Sequence, residues 1–117
     1  MSYSRPIRRL KVGLQINPRG TEMPRSVMLA SVPDKRVRVI RPIKVELYRH
    51  GESVVASVPE FEEFGQGATS SEALDDLGHT LSELFLSLQH DESRLGSALK
   101  GTLATLRTYL STLCANQ

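Results

Sequence analysis

Alternating apolar and polar residues predict strands in the first half of the chain. We expect residues 27–32 to form the first strand. A longer half-buried strand follows, interrupted or bulged near Pro42, which has no N–H to donate to a sheet. The turn at residues 50–52 leads into a strand over residues 53–58, which is a typical hairpin pattern. The apolar positions of the long strand that share one parity are Val37, Val39, Ile43, Val45 and Leu47.

Helical periodicity replaces this alternation in the second half. Thr69 and Glu72 have the spacing of a capping box, in which the Thr69 hydroxyl accepts from the Glu72 N–H and the Glu72 carboxylate returns to the Thr69 N–H. Two apolar stripes follow and predict two amphipathic helices, the second of about five turns. Gly96 and Gly101 each weaken that helix by roughly 1 kcal/mol, so we expect packing to hold it. The stripes are Leu74, Leu77, Leu81, Leu84, Phe85 and Leu88, then Leu95, Leu99, Leu103, Leu106, Leu110 and Leu113.

These elements predict an α+β fold, with an antiparallel sheet of three or four strands and two helices packed on one of its faces. The 117 residues allow one domain, which we place at residues 25–117. Residues 1–24 are basic and interrupted by proline and glycine, and they predict a flexible arm. The expected core is Val37, Val39, Ile43, Val45, Leu47, Val54, Ala56, Val58, Leu74, Leu77, Leu81, Leu84 and Leu88.

Residues 43–88 carry several motifs in a characteristic order: IKVELY, a glycine turn at Gly51, VVASVPEF, GQGAT and TSSEAL. This set resembles the HicB-like family, the small antitoxin modules of toxin–antitoxin pairs, whose fold resembles part of an RNase H core. Family members commonly carry Pro-Gly-Cys where this chain has Glu63-Phe64-Gly65, and the first 42 residues have no family counterpart.

The resemblance implies a non-catalytic module that binds and masks a small basic toxin ribonuclease. It also implies that the segment after the 53–58 strand helps to cover the toxin. The partner-binding candidates are Glu60, Phe61, Glu62, Glu63 and Phe64. The alternative interpretation of this segment is a solvated acidic bend with no partner.

Charge is distributed unevenly along the chain. Residues 1–50 hold 12 bases and three acids, whereas residues 51–117 hold three bases and ten acids. The basic part favours a second hypothesis, a nucleic-acid-binding regulator that contacts phosphates, since no aromatic residues alternate with the bases for stacking. The candidate contacts are Arg5, Arg8, Arg9, Lys11, Arg36 and Arg38. Many HicB-like antitoxins carry an appended helix-turn-helix or ribbon-helix-helix module that binds the operator, and we expect none after the leucine-rich second helix here.

Catalytic chemistry is not predicted. His50, His79 and His90 lack neighbours at metal-ligand spacing, so we expect no metal, no cofactor and no enzymatic activity. Cys114 is the single cysteine, which excludes an internal disulfide and favours a reducing cytoplasm. We expect neither a secretory signal nor a membrane span, because no apolar run approaches the roughly 18 residues a span needs.

Self-association is the last expectation from the sequence. The two leucine-rich helices and an edge strand around residues 27–39 leave apolar surface to cover. We therefore predict a homodimer or a dimer of dimers, with the edge strand or the 95–113 helix at the axis. A stand-alone oligomeric HicB-like protein without a toxin is the remaining alternative.

Overall fold

The computed structural model describes residues 25–112. The predicted fold class is confirmed: within this range the chain forms an antiparallel four-stranded sheet and two helices. Short 3₁₀ turns cover Pro59–Phe61 and Glu92–Arg94. In chain order the elements are β1 (Arg25–Leu29), β2 (Val37–Val39), β3 (Ile43–His50), β4 (Ser53–Val58), β5 (Glu63–Gly67), α1 (Ser70–His90), α2 (Ser97–Leu106) and β6 (Leu110–Thr112).

The main sheet has the order β1-β3-β4-β5, and every neighbouring pair is antiparallel. The predicted hairpin joins β3 to β4, and Gly51 supplies a positive φ of 64° at its turn. Alternate residues of β4 are buried on the side of the sheet that carries the helices. They are Val54, Ala56 and Val58.

The predicted break near Pro42 is present, and it sends the two halves of the long strand into different sheets. The second half is β3, whereas the first half is β2, which pairs with β6 in a separate two-stranded sheet. The carbonyl oxygen of Tyr109 accepts hydrogen bonds from the N–H groups of Ile40 and Arg41, at 2.7 and 3.3 Å. The chain therefore stays hydrogen-bonded at the break.

The second helix is shorter than its leucine spacing predicts. It ends at Leu106, and the chain then turns and forms β6 instead of continuing the helix to Leu113. The physical reason is that Leu110 fills the core equally well from a strand, where it is 1% exposed, and β6 gains backbone hydrogen bonds from β2. Tertiary pairing therefore overrides a helical pattern that two glycines had already weakened.

The hydrophobic core lies between the sheet and α1. Of the predicted core residues, all are buried except Val39 and Leu74, which are half-buried. The sequence interpretation missed further members, several of which come from the shortened C-terminal helix and the strand after it. These are Leu29, Phe61, Ala73, Phe85, Leu103, Leu106 and Leu110.

Helix α1 starts at a capping box and lies directly on β5. The Thr69 hydroxyl accepts from the Glu72 N–H at 3.1 Å, as predicted, but the Glu72 carboxylate accepts from the N–H of Ala68 at 2.8 Å rather than from Thr69. Gly65 has no room for a side chain, because an added Cβ would lie 2.6 Å from the Ala73 oxygen and closer still to the Leu77 nitrogen. The glycines of β5 therefore let strand and helix approach each other.

Candidate partner-binding surface

The acidic segment after β4 has a fixed backbone. Pro59 begins a 3₁₀ turn, and the N–H of Glu62 closes that turn by donating to the Pro59 oxygen at 3.0 Å. Glu62 itself has a left-handed conformation with φ 57°. This conformation is uncommon for a residue with a side chain, so the surrounding contacts must hold it. The acids that follow β4 are therefore presented on a defined turn.

The two phenylalanines of this segment are buried. Phe61 is 9% exposed and belongs to the hydrophobic core, while Phe64 is 5% exposed and lies opposite Ser57 on the other face of the sheet. Among the five partner-binding candidates, Glu60 and Glu62 are exposed and Glu63 is half-buried. Phe61 therefore packs the turn against the core, and the carboxylates of Glu60 and Glu62 lie on its outer surface.

Tyr109 holds this turn to the rest of the fold. Its hydroxyl donates to the Glu60 carboxylate at 3.2 Å, and its ring meets the Phe61 ring edge-on with centroids 6.1 Å apart. On the other side, the guanidinium carbon of Arg41 lies 4.1 Å from the centroid of the Tyr109 ring, a cation–π contact. Arg41 also donates to the Thr108 hydroxyl at 3.0 Å. Three segments that are distant in sequence thus meet at one tyrosine.

More acids join from the start of α1, which the sequence interpretation had not placed beside the turn. The Asp76 carboxylate accepts from the N–H of Gln66 on β5 at 3.0 Å, and Glu72 accepts from Ala68. Both acids therefore lie along the outer edge of β5. We refer to the resulting set as the acidic surface: Glu60, Glu62, Glu63, Glu72 and Asp76. The spacing of Glu72 and Asp76, four residues apart on one helix face, was the signal available in the sequence.

Basic residues are concentrated towards the other side of the sheet. The order β1-β3-β4-β5 places β1 and β5 at opposite edges, about 14 Å apart at the usual strand spacing. Exposed bases occur on β1, on β3 and in the segment between them, whereas β4 and β5 carry none. They are Arg25, Lys35, Arg36, Arg38, Lys44 and Arg49. Arg41 is also exposed, but it lies over the Tyr109 ring, beside the acidic turn. The charge asymmetry of the sequence therefore becomes a charge asymmetry across the sheet.

The residues predicted to contact nucleic acid fall into two groups, those outside the described residues and those within them. Arg5, Arg8, Arg9 and Lys11 lie outside the described residues. Arg36 is engaged by Asp34, to whose carboxylate oxygens its Nη2 and Nε atoms donate at 2.7 and 3.0 Å. Arg38 is exposed on β2 and, with Lys35, borders an open groove of about 440 Å³ formed by residues 30–39.

The Asp34–Arg36 pair predicts a specific acid response. Hydrogen bonds from the Arg36 side chain and backbone lower the pKa of Asp34 to about 2, against an ordinary value of 3.8. A carboxylate with a lowered pKa stabilises the fold above its unfolded pKa and loses that contribution as the pH falls through its folded pKa. We expect the wild type to be more stable than Asp34→Asn at pH 5, by less than about 1 kcal/mol because Arg36 is exposed.

This difference should shrink between about pH 4 and pH 2, which urea titrations at each pH would measure. Asp75→Asn, an exposed carboxylate on α1, is the matched control. A difference between wild type and Asp34→Asn that stays constant over this range would contradict the assignment.

Other polar features do not assemble into a reaction centre within residues 25–112. His50 is exposed on β3, whereas His79 and His90 are both exposed on α1, and no group of three or more His, Cys, Asp or Glu residues in this range is arranged to hold a metal ion. The Ser82 hydroxyl is buried on α1 and has no hydrogen-bond partner among residues 25–112. Of the helices in this described range, none is both long enough and apolar enough to cross a membrane.

Comparisons of the chain with protein-family models, with curated proteins and with solved structures found no significant match. A function for this chain is therefore inferred from its own residues and their arrangement.

Proposed function

We propose that this chain is a non-catalytic protein-interaction module of the HicB-like kind, which binds and masks a small basic protein such as a toxin ribonuclease. The observation that carries the proposal is the acidic surface along β5, which gathers carboxylates from the turn after β4 and from the start of α1. The module acts in the cytoplasm, as the single cysteine favours.

The acidic surface suits a preformed binding site because its backbone is held in place. Tyr109 anchors Glu60, and the Glu62 turn is closed by a backbone hydrogen bond. Little conformational freedom is then lost when a partner binds, so more of the interaction energy appears as affinity. Carboxylates at the rim of an interface also speed the approach of a cationic partner, and this effect weakens with added salt.

The test uses the purified full chain and the small basic protein encoded beside it. We expect a stable complex whose affinity falls with salt. The double variant Glu60→Gln with Glu62→Asn removes two charges, keeps an acceptor for Tyr109 and places a residue that tolerates the left-handed conformation. It should weaken binding by roughly 5- to 30-fold in titration calorimetry, mainly through slower association.

Glu83→Gln is the matched control, because Glu83 is an exposed acid on α1 that lies about two turns beyond Asp76, near Arg36. It should bind like the wild type. A double variant that binds as tightly as the wild type would refute the assignment of the surface. Absence of any complex with the neighbouring basic protein would refute the proposed function itself.

Nucleic-acid binding is the second candidate, and the exposed Lys35 and Arg38 beside the groove favour it. A gel shift at low salt tests it directly. Each neutralised phosphate contributes a slope of about −0.9 in log K against log salt, and Arg38→Gln should reduce the slope by about one unit. No shift at low salt would remove this candidate.

A further inference from the structure

The two edges of the main sheet differ in whether the outward-facing backbone groups of the edge strand are hydrogen-bonded. At the β5 edge, side chains from α1 cap the N–H groups of Gln66 and Ala68. At the β1 edge, no side chain or turn among residues 25–112 bonds to the backbone of Arg25–Leu29 from outside the sheet. A bare strand edge is a template for pairing with another strand.

A large exposed apolar side chain lies on the same strand. Met28 on β1 is 59% exposed, and with Ile40 it is one of the large apolar residues that the described part of the chain leaves open. Within residues 25–112, the β1 edge therefore combines unpaired backbone groups with exposed apolar surface.

The competing site for self-association, the C-terminal helix, is already occupied. Leu103 and Leu106 of α2 are buried in the chain's own core, and Leu99 is half-buried. The helix also ends at Leu106, so it offers no leucine stripe of five turns to a second copy. The edge strand β1 is therefore the site for self-association that we consider.

We infer that β1 pairs antiparallel with β1 of a second copy, about a two-fold axis at Val27, to form a continuous eight-stranded sheet. In this register Val27 meets Val27 of the partner subunit, and the large Met28 lies beside Ser26 of the partner subunit, which leaves space for it. The sequence Arg25-Ser26-Val27-Met28-Leu29 is thus complementary to itself in size. Val27 and Leu29 stay on the helix-bearing side in both copies, as strand alternation requires.

The geometry also sets the strength of the association. One five-residue strand and the exposed Met28 side chain bury less than the roughly 1,200 Å² of a standard interface, so the dimer dissociates on dilution. The acidic surface lies at the opposite edge of each sheet, so pairing at β1 does not cover it. The test of self-association at β1 is therefore independent of the test of the proposed function.

A cross-linking experiment on the full chain tests the axis. In a Cys114→Ser background, Val27→Cys should form a disulfide-linked dimer under mild oxidation, because facing residues on paired strands lie within disulfide reach. Ser57→Cys, on β4 and on the sheet face away from the helices, is the matched control and should give no disulfide-linked dimer. Cross-linking through Ser57→Cys, or none through Val27→Cys, would overturn the inference.

Light scattering provides the second measurement. The wild-type mass should rise towards a dimer with concentration, whereas Met28→Lys should remain a monomer, since a lysine beside the partner strand blocks edge pairing. Ser57→Lys should behave like the wild type. Circular dichroism confirms that the variants are folded. Met28→Lys should still bind the small basic protein, and an unchanged dimer in Met28→Lys would contradict the pairing.

Discussion

Gly65→Ala should lower the free energy of unfolding by at least about 3 kcal/mol, and this is among the largest effects we expect. The added methyl group would overlap the Leu77 nitrogen and lie 2.6 Å from the Ala73 oxygen, both of them backbone atoms of α1. A flexible side chain can move away from a new neighbour, but a helix backbone can do so only by shifting as a whole. The loss should appear as a lower urea midpoint.

Gly101→Ala is the matched control, because it makes the same chemical change where nothing lies within 4 Å of the new methyl group. Gly101 is inside α2, so alanine should stabilise the protein by up to about 1 kcal/mol. Opposite signs for the two substitutions would show that close packing, rather than glycine replacement as such, determines the result. A mild effect at Gly65 would mean that α1 lies farther from β5.

Leu81→Ala should cost roughly 2–5 kcal/mol. Leu81 is 0% exposed and lies in the α1 stripe that packs against the sheet, so its removal leaves a cavity between the two layers. Chemical denaturation measures the change, with an unaltered slope as the check that unfolding is still two-state. The half-buried Leu74 on the same helix provides the comparison, and Leu74→Ala should lose clearly less stability. Equal losses at the two positions would contradict the placement of the stripe.

Local features of the fold were predictable because their causes lie within a few residues. Gly51 marked the hairpin turn, Pro42 marked the break in the long strand, and Thr69 marked the start of α1. Each of these residues restricts or satisfies its own backbone, so no knowledge of the tertiary structure was needed.

The C-terminal strand was not predictable in this way. Leu103, Leu106 and Leu110 keep a helical spacing across the point where the helix ends, so the pattern continues although the structure changes. The deciding partner is β2, which is remote in sequence. The same limitation applies to the acidic surface, because Asp76 reaches it only when α1 returns alongside β5.

The pairing of β2 with β6 has a consequence for the order of folding. It joins Val39 to Leu110, so its closure encloses most of the domain in one loop. By chain-entropy scaling, closing that loop costs roughly 2–3 kcal/mol more than closing the β3–β4 turn. The β3–β4–β5–α1 unit contains only short connections and should form early, while the two-stranded sheet should close last. We therefore expect the amide protons of β2 and β6 to exchange with solvent before those of β3 and β4, by opening events smaller than global unfolding.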